Sequence, residues 1–247
     1  MKFTKYIIVL LFFVFSDYCY ANKKIKLYAL YTPSHAILKD TFFLPSIQDD
    51  FEIIFEFCDQ TCPSGDFMGQ GWTETTIQKV NLIIRAIKEN WGSIFIFSDV
   101  DIQFFCPIEE MILKCMHGKD LMIQKNTPNG VLCTGFFACR ANEKTLQLWI
   151  DVKNIMEQDV LQSDQISLNQ CIKRHSKQNP YNLVWGYLPT KYFFGGGTFT
   201  GCYWKSGMSL PIPAKAMMHH ANFTKGIKNK IAQLTYVRDI VNNRKKN

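Results

Sequence analysis

The 247-residue chain has no internal repeat, no low-complexity linker and only one long apolar run, which excludes a solenoid, a loose string of modules and a multi-span membrane protein. That run, Tyr6 to Phe15, is ten residues long, against the roughly 20 needed to cross a bilayer. It follows the basic stretch Met1-Lys2-Phe3-Thr4-Lys5 and precedes the small-x-small end Cys19-Tyr20-Ala21. Residues 1–21 therefore read as a signal peptide, or alternatively as an uncleaved signal anchor giving membrane association. Ser16-Asp17-Tyr18 before Cys19 lacks the small side chains that lipidation uses. The chain also lacks the interleaved basic and aromatic residues of a nucleic-acid module, so no nucleic-acid partner is expected. Cys58-x-x-x-Cys62 has no second Cys or His pair at finger-like spacing, which argues against structural zinc. The paired-carboxylate signature of a glycosidase is missing as well.

What is present suits an enzyme core. Residues 22–247 have the length of one sizeable α/β domain. Without Lys2, Lys5 and Asp17 of the leader, 26 basic and 20 acidic residues leave a charge of +6, which fits an anionic substrate or a membrane surface. Much of that surplus lies in the tail, at Lys225, Lys228, Lys230, Arg238, Arg244, Lys245 and Lys246, where a solvated basic end is the plainer reading. Eight of the nine cysteines follow the leader, and an export signal with an even count permits disulfides, with buried thiols as the other fate.

Strand and helix patterns alternate. Lys26 to Tyr31 and Phe51 to Phe57 read as strands, and Trp72 to Asn90 as a helix whose Ile77, Val80, Leu82, Ile83, Ile84 and Ile87 largely follow a 3.6-residue period. Ile94 to Ser98 is an apolar strand, Ile108 to Met116 a helix, Asp120 to Gln124 and Val131 to Arg140 strands, and Glu143 to Glu157 and Asp164 to His175 helices. The remainder is rich in Gly, Pro and aromatic residues. Such alternation predicts a mostly parallel sheet flanked by helices.

Three segments carry chemistry. Asp99-Val100-Asp101 ends the apolar run Ile94-Phe95-Ile96-Phe97-Ser98, and open α/β sheets bind ligands just beyond the carboxyl ends of their strands. Mg²⁺ or Mn²⁺ prefers oxygen ligands and takes one or two carboxylates, completing its shell with water and phosphate. Side chains at i and i+2 of a strand share a face, so the two acids can converge on one ion if the strand continues, or divide between an ion and a sugar hydroxyl if it bends. A polar turn is the alternative. In the second segment, Met217 to Lys230, a His can complete the coordination of a borderline ion, Gly226 admits close backbone approach, and Lys230 offers a cation to a departing diphosphate. A surface loop with a basic run is the alternative. In the third, Asp164-Gln165 sits at a helix start, where Asp also serves simply as a cap; its functional reading is contact with sugar hydroxyls near the reacting carbon.

In order and spacing, Asp99-Val100-Asp101, Thr134-Gly135-Phe136-Phe137-Ala138-Cys139-Arg140, Asp164-Gln165 with Asn169, and His220-Ala221-Asn222 with Gly226 and Lys230 resemble the nucleotide-diphospho-sugar transferases of the glycosyltransferase family 77 type, from roughly Lys26 to Leu234. The resemblance implies a GT-A fold, one Rossmann-like α/β domain that uses Mn²⁺ or Mg²⁺ and a nucleotide-diphospho-sugar donor to glycosylate a glycan, glycoprotein or glycolipid with retention of configuration. By position, it implies metal ligation by Asp99, Asp101 and His220, with the choice between His219 and His220 open. Donor contacts would come from Asp99, Lys79, Gly135, Gly226 and Lys230, although a surface role for Lys79 is the simpler reading. Catalytic roles would fall to Asp164, Gln165 and Lys230. Residues 188–197 would form a flexible segment on the acceptor side, with Trp185 or Trp204 stacking on sugar or packing in the core. A metal-dependent phosphoryl-transfer hydrolase and a noncatalytic sugar-binding protein are the rival classes. The leader implies the secretory route: Golgi lumen in a eukaryote, periplasm or exterior in a bacterium. Asn222-Phe223-Thr224 is a glycosylation sequon that a working site would leave unused.

Overall fold

The computed structural model describes residues 24–62, 69–159, 161–173 and 181–246. The expected leader, residues 1–21, lies outside them.

Nine strands are described: β1 (Lys26–Tyr31), β2 (Glu52–Phe57), β3 (Ile94–Asp99), β4 (Ile102–Phe104), β5 (Leu121–Lys125), β6 (Leu132–Arg140), β7 (Trp185–Tyr187), β8 (Phe193–Gly195) and β9 (Met218–His220). The longer helices are α1 (Trp72–Glu89), α2 (Glu109–Met116), α3 (Glu143–Gln158), α4 (Asp164–Lys173) and α5 (Ile227–Lys246). A six-stranded sheet has the order β2-β1-β3-β6-β5-β7. Pairing is parallel at β1/β2, β1/β3 and β5/β7 and antiparallel only along both edges of β6, so five strands run one way and β6 runs against them. A small second sheet has the order β4-β9-β8.

Alternation along the strands divides the core in two. Tyr28, Phe95, Phe97 and Phe137 face α1, α3 and α4, with the Phe137 ring stacked between Phe97 at 5.4 Å and Trp149 at 5.3 Å. Leu27, Ala29, Ile96 and Phe136 face the other way, onto α2, the helical segment of residues 33–46 and the small sheet. α1 forms where the apolar residues repeat at helical spacing, and α3 opens with a capping box in which the Asn142 side chain accepts from Thr145 N while the Thr145 hydroxyl accepts from Asn142 N.

Residues 188–197 and the C-terminal segment depart from the sequence expectation, and the structure decides between alternatives left open for the tryptophans and the cysteines. Residues 188–197 are not a flexible flap: Phe193–Gly195 is a buried strand parallel to β9. Trp204 is buried in a cluster with Phe194, Leu210 and Val237 and donates to Met208 O at 2.8 Å, whereas Trp185 belongs to edge strand β7, against Tyr187. The basic tail is the long helix α5, whose Leu234, Val237 and Val241 are buried at spacings of three and four. Cys58, Cys106, Cys115, Cys133, Cys139 and Cys202 carry free thiols, and burial pushes the Cys139 thiol up to about 12.

Candidate active site

β3 ends at Asp99, the chain bends through Val100 and Asp101, and β4 begins the second sheet at Ile102. The acidic pair therefore marks the crossing between the two sheets. Val100 is buried in the core under the bend, fixing its direction. The backbone then delivers the imidazole: Ile102 pairs with His220 in the antiparallel β4/β9 ladder, and Ala221 N donates to Asp101 O at 2.9 Å. Although the strand does not continue as the i, i+2 argument supposed, ligand atoms of Asp99, Asp101 and His220 all lie within 4.8 Å of one another. This is the one such cluster among the described residues.

His220 Nε2 stands 3.1 Å from Asp101 Oδ1 and 4.0 Å from Asp99 Oδ2. Its Nδ1 lies 2.9 Å from Gln124 Oε1, and a donor there leaves Nε2 aimed at the acids. Alternation along β9 sends His219 the other way, against Phe194 at 4.9 Å and Gln103 at 3.4 Å. Burial and the neighbouring His220 charge depress His219 to about 3, leaving it a neutral core residue. Burial also acts downward on His220, but Asp101 and then Cys133 outweigh it and lift the imidazole to about 10. Burial pushes Asp101 up, yet the cations of Lys230 and His220 hold its carboxyl well below the usual range.

Two lysines complete the charge pattern. Lys230, in the first turns of α5, pairs with Asp101 and donates to Ala221 O at 3.3 Å. Lys79 is not at the surface: it is buried on α1, with Nζ 2.9 Å from Asp99 Oδ1 and 3.0 Å from Asp164 Oδ2. Burial acts downward on Lys79 as well, but the two carboxylates outweigh it and raise its pKa. Asp164 is thus held in an ion pair, while Gln165, half-buried, lines the same cavity. Asn169 on α4 bonds both the N–H and the C=O of Leu132, at 2.9 and 3.0 Å, tying that helix to the start of β6.

Gly135 lies in β6 beside the cluster, where a Cβ would come within 2.3 Å of His220 Cε1 and 2.7 Å of Asp99 Oδ2. The missing side chain makes the room in which acids and imidazole converge. Gly226, at φ +80°, precedes α5 in the left-handed region, and its carbonyl accepts from Lys230 N. Asp99, Asp101, His220, Lys230, Lys79, Asp164, Gln165 and Gly135 line one cavity of about 220 Å³, whose wall also includes Tyr31, Thr32, His35, Trp72, Tyr203 and Phe223.

Sequence reasoning missed Gln124, Asn126, Cys133 and Tyr203 as lining or supporting groups. Gln124 had a legible signal: a polar residue closing the apolar strand Leu121-Met122-Ile123, at a carboxyl end. A register shift after Ile123 turns it toward His220, and no local pattern reveals that shift. The sequon is tied into the fold, since Asn222 Nδ2 donates to Asn126 at 2.7 Å and the buried Thr224 hydroxyl donates to Trp204 O at 3.2 Å.

The arrangement is that of a carboxylate and imidazole cation site at the carboxyl edge of an α/β sheet. The nucleotide-diphospho-sugar transferase family model matches residues 59–234, most of the chain, so the chain belongs to that family and is a glycosyltransferase. Among solved structures it is similar to a glycosyltransferase involved in the glycosylation of the major capsid of PBCV-1, with TM-score 0.59 and 11% identity over 87% of this chain and 100% of that one. It is also similar to the WbbM bifunctional glycosyltransferase in its apo form, with TM-score 0.50 and 7% identity over 90% of this chain and 52% of that one. At such identities these likenesses speak to the fold. No curated protein matches the chain.

The residues fit a divalent cation. Two carboxylates and an imidazole form a donor set suited to Mn²⁺ or Mg²⁺. Gly135 leaves space beside them, since a Cβ there would come within 2.7 Å of Asp99 Oδ2.

Proposed function

We propose that this glycosyltransferase moves a sugar from a nucleotide-diphospho-sugar to an acceptor hydroxyl with retention of configuration, after the manner of family 77. The observation that carries the reading is the convergence of Asp99, Asp101 and His220 with Lys230 in one cavity. Asp99, Asp101 and His220 would hold Mn²⁺ or Mg²⁺, which when bound supplies positive charge to the diphosphate. Gln124 keeps Nε2 of His220 pointed inward. Lys230, already paired to Asp101, adds a cation where negative charge develops on the leaving group. Lys79 offsets one of the two negative charges of Asp99 and Asp164, which reduces their repulsion of the anionic donor.

In this reading the bond from the anomeric carbon to the diphosphate breaks and the acceptor oxygen bonds to the same face of that carbon. The acceptor proton passes to the departing phosphate oxygen. No strong protein base is then needed, which suits a cavity whose Asp164 is engaged by Lys79. Gln165 is the candidate to steady the positive charge on the sugar, with Asp164 setting its helix start. The chain enters the secretory route through residues 1–21, as a secreted or anchored enzyme acting on a glycan, glycoprotein or glycolipid.

The test is thermal-shift and hydrolysis profiling of the purified chain against a panel of nucleotide sugars, with and without Mn²⁺ or Mg²⁺, beside Asp101→Asn. Stabilisation by one nucleotide sugar that needs metal and disappears in Asp101→Asn supports the assignment and names the donor. If no nucleotide sugar binds with either ion, the assignment fails.

A further inference from the structure

The cavity wall runs across the large sheet: Thr32 follows β1, while the loop that leads to Tyr203 packs beside β5, where the Thr198 hydroxyl donates to Lys125 O at 3.0 Å, and β3 and β6 lie between, so the cavity has two unlike ends. At the β1 end stand Thr32, His35 and Gln60, linked through Ser34: Ser34 N donates to Gln60 Oε1 at 3.0 Å, and Ser34 Oγ lies 2.9 Å from His35 Nδ1 and 3.2 Å from Thr32 Oγ1. Such polar side chains can read the edges of a base and the hydroxyls of a ribose. At the far end stands Tyr203, a large aromatic side chain left 47% exposed.

Tyr203 is held in place by what surrounds it. Immediately after it, Trp204 turns inward, donates its backbone N–H to Phe223 O at 2.7 Å and buries its indole. The Thr224 hydroxyl bonds Trp204 O at 3.2 Å, so the loop is pinned on both sides of the 223–224 peptide. Phe223 sits at φ +52°, an uncommon conformation for a non-glycine residue that the surrounding contacts must impose. Its ring rests over Gly197, where a Cβ would come within 2.2 Å, and contacts Tyr203 at a centroid distance of 5.5 Å. Lys225 Nζ lies 5.5 Å from the Tyr203 centroid. The result is a fixed aromatic surface at the open end of the reaction cavity.

We infer that Tyr203, backed by Phe223 and Lys225, is the acceptor platform, and that the acceptor is a sugar ring rather than a peptide or lipid hydroxyl. The inference rests on the transferase reading above. An aromatic face complements the C–H face of a pyranose while leaving its hydroxyls free to react, and it tolerates rings of differing substitution. The polar readers at the β1 end suit the nucleoside, which leaves the open end for the acceptor.

The experiment uses the purified chain with the donor and ion found by the panel, methyl glycosides of common hexoses and pentoses as acceptors, and a Ser/Thr peptide as the competing class. Tyr203→Ala raises KM for the methyl glycoside by about tenfold or more, as truncation of an aromatic contact does. In the same variant, affinity for the nucleoside diphosphate with metal stays at wild-type level. Tyr203→Phe keeps the ring and restores the KM. Equal weakening of nucleoside diphosphate binding would assign the ring to the donor, and an unchanged KM would remove it from the site; either result overturns the proposal. Transfer to the peptide but to no glycoside overturns it too. Wild-type protein that neither binds nor hydrolyses any nucleotide sugar defeats the transferase reading itself, a result distinguishable from the others, and the platform falls with it.

Discussion

Gly135 and Gln124 act on the candidate cation site without offering it a ligand. A methyl group at position 135 would enter the space shared by His220 and Asp99, neither of which can retreat: His220 is buried and bonded to Gln124, and Asp99 is paired to Lys79. Gly135→Ala is expected to lose divalent-cation binding and to cost about 1–3 kcal/mol in stability, the usual range for overpacking. Calorimetric titration with Mn²⁺ and a denaturant melt measure the two effects, and retained Mn²⁺ affinity would refute the steric account. Gln124→Leu removes the acceptor that orients the imidazole. Loss of such an orienting partner lowers metal affinity by about 10–100-fold. The same titration reads it, and an unchanged affinity would mean that packing alone sets the ring.

Lys79 belongs to the scale of elements, because its ammonium joins α1 to the end of β3 and the start of α4. Removing one member of a buried ion pair leaves an uncompensated charge, so Lys79→Met is expected to destabilise the protein by about 3 kcal/mol. Replacing Asp164 as well, in Lys79→Met with Asp164→Leu, should recover part of that loss, and urea melts of the two variants decide. A double variant no more stable than the single one would show that Lys79 acts through its stem and not its charge. Sequence legibility also divides by element. The strands bearing Asp99 and Gly135 were readable because long apolar runs specify buried strands without help from distant residues. β7, β8 and β9 have three residues each and form only because a neighbour pairs with them, so no local pattern announces them. α5 went unread for a different reason: its sparse buried positions are diluted by Lys, Asn and Arg, and the charge obscured the spacing of Leu234, Val237 and Val241.

The whole molecule has a reactive edge at the carboxyl ends of the parallel strands and a structural edge at their amino ends. The residue types of the reactive edge were legible in sequence, but their mutual geometry was not, since Asp101 and His220 meet through a strand pairing between residues more than a hundred positions apart. At the opposite edge Asp120 precedes β5 and gathers three parts of the chain. It accepts from Asn142 Nδ2 at 2.8 Å and from Val184 N at 2.8 Å, and stands 3.4 Å from Lys144 Nζ. Burial pushes its carboxyl up, but the Val184 N–H, Asn142 and Lys144 together hold it below its ordinary value. A carboxylate more acidic in the folded than in the unfolded state adds stability above the unfolded value of about 3.9, and that contribution is lost as pH falls through the folded value. Asp120→Asn cannot carry the charge at any pH. Wild type should therefore be more stable than Asp120→Asn at neutral pH, with the gap in melting temperature closing in acid below about pH 4 as the native carboxylate takes up its proton. Melts of both proteins from pH 7 to pH 2 measure this, and because the variant leaves every group of the reactive edge in place, a gap that stays constant across that range would show that Asp120 stabilises through shape alone.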